Sequence, residues 1–184
     1  MSAGDRRIAA FLDRDGVLNE LVSRDGRKVS PRTVREFRLF EEAGPAVRRL
    51  RDLGLEVFVV TNQPDIGRGL MEAAELREMH AQLERAIAPR EIAVCPHDDA
   101  DGCHCRKPRP GMLLDLAERH HVDLSRSFMI GDMAKDMEAG RRAGVHSILI
   151  DRTGDTSIDA DVVVSTLALA VSHIASALSP SGES

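Results

Sequence analysis

A doubly wound, mostly parallel α/β sheet covered by helices on both faces is the fold this sequence predicts, and three observations predict it. Short apolar runs rich in branched residues alternate with stretches of helical spacing along almost the whole chain. The runs lack the in/out alternation of a half-exposed strand, as expected for strands buried on both faces. The carboxylates, hydroxyls and amides that could carry chemistry fall just after those runs, where ligands collect in open α/β sheets.

Ile8–Leu12 reads as the first strand and empties into Asp13-Arg14-Asp15-Gly16. Residues 20–40 are mixed and charged, with Gly26 and Pro31 as breakers, and read as a long loop or partial hairpin, too short for a cap domain. Gly44-Pro45 opens a helix with Val47, Leu50 and Leu53 on one side and Gly54 at its end. Residues 55–60 form a buried strand that runs into the polar triplet Thr61-Asn62-Gln63. A helix over 72–88, a strand over 92–94, a helix over 110–120 and a strand over 128–130 ending at Gly131-Asp132 come next. A helix over 134–143, strands over 147–150 and 162–164, and a helix from Thr166 complete the series. Gly67-Arg68-Gly69 lacks the third glycine of a dinucleotide loop and reads as a turn.

The 184 residues suit one domain, with a flexible tail over 179–184. A net charge of −5, five Phe and no Trp or Tyr argue against a nucleic-acid partner, which leaves a basic footprint and uses aromatic platforms. No apolar run is long enough to span a bilayer, and residues 1–7 lack a signal-peptide core, so no membrane partner and a cytoplasmic location are expected.

Two carboxylates two residues apart at a strand end can aim at one point, and together they call for a hard divalent cation such as Mg2+, which would bring a phosphate beside Asp13. A calcium-binding loop starting at Asp13 would need Glu at its twelfth position, where Arg24 stands. Phosphoryl transfer needs a nucleophile, donors and cations. Asp13 is the candidate nucleophile, Thr61 and Asn62 are donors, Lys107 is the cation, and Asp132 is a third carboxylate for the metal. Asp136, four residues on, could share a helix face with Asp132 and support the metal, or could equally be an exposed acid paired with an arginine.

The three cysteines lie within eleven residues, in Cys95-Pro96-His97 and Cys103-His104-Cys105. Cys95, His97, Cys103 and Cys105 can close a tetrahedral structural Zn2+ site over the loop 95–105, with His104 pointing outward between two ligands. Such a loop would shape the segment carrying Arg106 and Lys107, with Arg106 offered to a distal group of the substrate.

Phe11-Leu12-Asp13-Arg14-Asp15-Gly16-Val17-Leu18-Asn19, Thr61-Asn62-Gln63, Cys105-Arg106-Lys107-Pro108 and Gly131-Asp132 resemble the ordered motifs of the haloacid dehalogenase superfamily. Within it, the chain is similar to the small cap-less phosphatases that act on D-glycero-D-manno-heptose 1,7-bisphosphate and on histidinol phosphate. The resemblance implies a three-layer, Rossmann-like fold and a Mg2+-dependent hydrolase of a small phosphorylated metabolite. Heptose bisphosphate comes first, with histidinol phosphate or another sugar phosphate as the alternative. It also implies attack by Asp13 to give an aspartyl-phosphate, and proton transfer by Asp15. Thr61 and Lys107 would steady the phosphoryl group, with Asn62, Gln63 and Arg106 on the substrate. Mg2+ would sit on Asp13, the Asp15 backbone carbonyl and Asp132. The chain departs from those phosphatases where they carry a Gly-Tyr-containing segment and it has Leu21-Val22-Ser23-Arg24. A phosphorylatable signalling receiver also gathers acids, a Thr and a Lys at strand ends, but in another order and with no need of Asp15 or a zinc loop.

Overall fold

The computed structural model of the chain describes residues 6–154 and 157–179, so the tail expected from Ser179 lies, beyond that residue, outside the described part. Six strands form one parallel sheet in the order β5-β4-β1-β6-β7-β8, with β1 at Ala9–Leu12, β4 at Glu56–Asn62, β5 at Glu91–Cys95, β6 at Phe128–Gly131, β7 at His146–Ile150 and β8 at Val162–Val164. The chain starts in the middle, builds outward through β4 and β5, then returns to the other side of β1 for β6, β7 and β8. The reversal of direction opens a crevice at the carboxyl ends of β4, β1 and β6.

Successive residues of the central strands face opposite layers. Ala10, Leu12, Val57, Val59 and Ile130 pack with α1 (Ala43–Asp52), α3 (Ala73–Ile87) and α6 (Leu167–Leu178). Ala9, Phe11, Phe58, Val60 and Met129 pack instead with α4 (Gly111–His120) and the end of α5 (Ala134–Ala143). This double burial explains the unbroken apolar runs.

Two local differences from the sequence expectation matter for the site. β4 does not stop at Val60 but continues through Asn62, because β5 pairs with Thr61 at Val94 and with Asn62 at Cys95. Thr61 and Asn62 are thus held by the ladder, and Gln63 precedes a short helix, α2 (Pro64–Gly67), that the sequence analysis did not anticipate. The 20–40 segment contains a genuine hairpin, β2 (Val22–Arg24) against β3 (Arg27–Val29). Its turn, Asp25-Gly26, has positive φ at both residues (51° and 74°), the backbone of a two-residue hairpin loop. The segment is fastened by Arg24 to Glu36 (2.9 and 3.0 Å) and by Arg32 to Asp65 (2.6 Å), and no large cap is present among the described residues. Nor is any helix there long and apolar enough to cross a membrane.

Candidate active site

β1 delivers Asp13 to the crevice, and its backbone N–H donates to the Ile130 carbonyl of β6 (2.9 Å). Asp132 leaves the end of β6, and Asp136 enters from the first turn of α5; one carboxylate oxygen from each of the three lies within 4.8 Å of the others. Two glycines make this approach possible. A Cβ on Gly16, whose φ is +85°, would stand 2.0 Å from Asp132 Oδ2, and a Cβ on Gly131 would stand 2.2 Å from Asp136 Cβ.

Lys107 is the buried cation among these acids. Its Nζ lies 2.9 Å from Asp13 Oδ1 and 2.7 Å from Asp136 Oδ1, and donates to the Val60 carbonyl (2.8 Å). One hydrogen bond and two ion pairs surround the buried ammonium, so Lys107 acts here by holding Asp13 rather than by reaching into the cavity. Burial works against its charge, but Asp13 and Asp136 outweigh it and raise its pKa. Asp136 is fully buried on this ion pair and accepts from the Met133 N–H (3.1 Å), which overturns its reading as an exposed acid with an arginine partner. It does not share a helix face with Asp132, which precedes α5.

One ammonium does not balance three carboxylates, two of them buried and the third, Asp132, half-buried. Burial, with Asp136 and Asp15 adding to it against Lys107, pushes Asp13 up to about 6. Burial and the charges of Asp13 and Asp136 push Asp132 up to about 8. Asp132 Oδ1 is buried with no hydrogen-bond partner. Crowded carboxylate oxygens and an orphaned acceptor are the donor set a hard divalent cation fits.

Asp15 has a different environment. Arg14, fully buried, reaches both its oxygens from Nε and Nη2 (3.0 Å each), and Asn19 (3.0 Å) and Gln63 (2.8 Å) donate to it. Burial works to raise its pKa, but Arg14 and these hydrogen bonds outweigh it and hold the carboxyl below its ordinary value. Arg14 also meets His80 of α3 (Nη1 to Nε2, 3.2 Å) and lies 5.6 Å from the centre of the Phe37 ring. Burial and then the Arg14 charge push His80 down to about 4, so its neutral ring can accept from the guanidinium. Sequence reasoning passed over Arg14 and His80. The one available signal was a cation placed between two acids.

Asn62 spends both ends of its amide on the Lys107 backbone, donating to the carbonyl (3.0 Å) and accepting from the N–H (3.1 Å). Gln63 donates to Thr61 Oγ1 (2.8 Å) as well as to Asp15. Of the residues singled out from sequence, Asp13, Asp15, Asn62, Gln63, Arg106 and Asp132 line a cavity of about 310 Å3, whereas Thr61 and Lys107 lie behind its wall. Arg106 donates to Asp99 (2.6 Å) and to the His97 carbonyl (3.0 Å).

The second cluster forms within one segment. Cys95 Sγ lies 3.7 Å from Cys103 Sγ, 3.3 Å from Cys105 Sγ and 3.6 Å from His97 Nδ1, which is 3.4 Å from Cys105 Sγ. Zinc bonds of about 2.3 Å to sulfur and 2.0 Å to nitrogen give tetrahedral edges of about 3.8 and 3.5 Å, so the donor set fits this ion. His104 turns away and pairs with Asp115 (2.9 Å).

Comparison with known proteins agrees with this geometry. The HAD-hydrolase-like family model matches residues 104–175. The D-glycero-beta-D-manno-heptose-1,7-bisphosphate 7-phosphatase of Pseudomonas aeruginosa is 40% identical over 153 residues, covering 80% of this chain and 83% of the relative. The protein of the same name from Rhodopseudomonas palustris is 37% identical over 156 residues, covering 78% and 83%. The crystal structure of D,D-heptose 1,7-bisphosphate phosphatase from Bordetella bronchiseptica, complexed with magnesium and phosphate, superposes with a TM-score of 0.81 at 31% identity over 92% of this chain and 99% of that one. Identity at this level along most of both sequences, on a shared fold, places the chain in the haloacid dehalogenase superfamily of phosphatases, in the family of the heptose-1,7-bisphosphate 7-phosphatases.

Proposed function

We propose that the chain removes the 7-phosphate from D-glycero-D-manno-heptose 1,7-bisphosphate through an aspartyl-phosphate on Asp13. The observation that carries this reading is the way Asp13 is held. Both the Lys107 ammonium (2.9 Å) and the Arg14 backbone N–H (2.7 Å) bind Oδ1, which fixes the carboxylate and leaves Oδ2 for in-line attack. The phosphorus gains a bond to Asp13 as its bond to the sugar oxygen breaks, and that oxygen takes a proton from Asp15. Asp15 then accepts a proton from the water that attacks the aspartyl-phosphate, which releases inorganic phosphate and restores Asp13.

Arg14, Asn19 and Gln63 favour the ionised form of Asp15, which suits it to the second step. The negative charge of an arriving phosphate raises its proton affinity for the first. Asp13, Asp132 and the Asp15 backbone carbonyl would hold Mg2+, which when bound supplies positive charge against the phosphoryl oxygens. Asn62 keeps Lys107 in place through its backbone, and Lys107 in turn holds Asp13. Gln63 sets the Thr61 hydroxyl and Asp15 relative to one another, and Arg106 stands on the cavity wall toward the sugar. Cys95, His97, Cys103 and Cys105 would hold Zn2+ in a closed, four-ligand structural site that shapes the approach to Arg106 and Lys107.

The test is phosphate release from both anomers of the heptose bisphosphate, histidinol phosphate and common sugar phosphates, ranked by kcat/KM. The heptose bisphosphate is expected to lead; first rank for histidinol phosphate would replace the substrate assignment.

A further inference from the structure

The walls of the cavity around Asp13 divide by charge. Asp13 and Asp15, 5% and 6% exposed, lie at its bottom with Asp132 and Lys135. The rest of the lining carries Lys28, Arg32, Arg68 and Arg106 against a single acid, Asp65. The three guanidinium groups are already engaged. Arg32 is held by Asp65 (2.6 Å), Arg68 by Asp98 (2.6 and 2.8 Å), and Arg106 by Asp99 (2.6 Å). Among the described residues Lys28 has no ion pair and no side-chain hydrogen bond.

Lys28 is also placed where two spaces meet. It stands on β3 opposite Ser23 and is exposed, so its ammonium belongs to the mouth rather than the bottom of the site. With Leu21 and Asp132 it lines both the reaction cavity and an adjoining one of about 460 Å3, so it stands on the border between the two. The same cavity wall that Lys28 shares with Asp13 is where the rest of a substrate with one phosphate at Asp13 would lie.

We propose that Lys28 binds the second, non-reacting phosphate of the substrate and thereby selects sugar bisphosphates over monophosphates, an inference that rests on the phosphatase reading above. An uncommitted ammonium on a flexible stem can meet a phosphate without first giving up a carboxylate, as the three arginines would have to. The same charge repels a leaving group that is itself cationic, such as an amino alcohol bearing an imidazole. Selection thus has an attractive and a repulsive side.

Steady-state kinetics on a sugar bisphosphate and on p-nitrophenyl phosphate, for the unsubstituted protein and for Lys28→Ala, Lys28→Arg and Lys28→Glu, test this. Lys28 is exposed, so the substitutions remove no packed atoms. The expected result is a fall of about tenfold in the ratio of kcat/KM values, bisphosphate over monoester, in Lys28→Ala, carried mainly by KM. Lys28→Arg should recover most of the loss and Lys28→Glu should deepen it. Hydrolysis of both compounds with a ratio unmoved by Lys28→Ala overturns the Lys28 assignment alone. No phosphate release from either by the unsubstituted protein overturns the phosphatase reading, and this assignment with it.

Discussion

The two clusters fitted for metals are built on opposite principles. Asp13, Asp132 and Asp136 come from the ends of two strands and the start of a helix and meet only because the sheet reverses direction between β1 and β6. Cys95, His97, Cys103 and Cys105 lie within eleven consecutive positions and meet by the folding of one loop. Oxygen donors, unequal burial and an orphaned acceptor suit a hard cation that keeps room for substrate, whereas three thiols and an imidazole close a tetrahedron and leave no position for chemistry. Cooperative folding assembles the first cluster, while the second can shape its own surroundings.

The contrast predicts separable effects, the largest at Asp13. Asp13→Asn should lower turnover on the order of 10^4-fold or more with little change in far-UV circular dichroism, because the amide cannot form the acyl phosphate; near-normal turnover would end the covalent mechanism. Cys103→Ser should instead act on the fold. It should lose zinc by elemental analysis and melt about 10 °C lower, since metal binding to such a loop is folding free energy. Its turnover below the melting point should drop less than that of Asp13→Asn. An unchanged zinc content and melt would reject the site.

Asp136→Asn falls between the two. It leaves Lys107 with Asp13 as its only carboxylate, and breaking a buried pair in this way costs about 3 kcal/mol, read by denaturant unfolding. A cost near zero would mean that Asp136 and Lys107 do not hold one another.

The smallest effect is in pH. In chelator, Asp132 keeps its proton in the folded state up to about 8, whereas the unfolded chain gives its proton up near 4. The folded state therefore binds more protons across that interval, and stability from this group falls as pH rises through it. Asp132→Asn should gain on the parent by a few degrees of Tm between pH 5 and 8, and Mg2+ should shrink the gain by stabilising the parent. A gain independent of pH would show that the carboxylates are not crowded.

How much of this was legible in sequence follows from the same contrast. The Cys/His cluster was readable as spacing, because its geometry is local. Asp13, Asp15 and Asp132 were readable as strand exits, because buried strands announce where they stop. Asp136 stayed ambiguous, since only the fold brings the first turn of α5 against Lys107, about 100 Å of extended chain away along the sequence. Arg14 looked like a loop residue and is wholly buried, a placement set by the paired Asp15, His80 and Phe37 around it. Thr61 and Asn62 read as polar residues beyond the end of a strand over 55–60. Pairing with β5 keeps them in the sheet, where Asn62 clamps the Lys107 backbone, a contact no spacing announces.

Gly16 and Gly131 set a condition on all of this without any chemistry of their own. A single methyl at either position would occupy space now held by Asp132 or Asp136. In a saturation scan scored by activity, both would therefore rank beside Asp13, and an observer with only that ranking would assign them roles in the reaction. What they contribute is vacancy: the distance between the negative charges is measured by side chains that are missing.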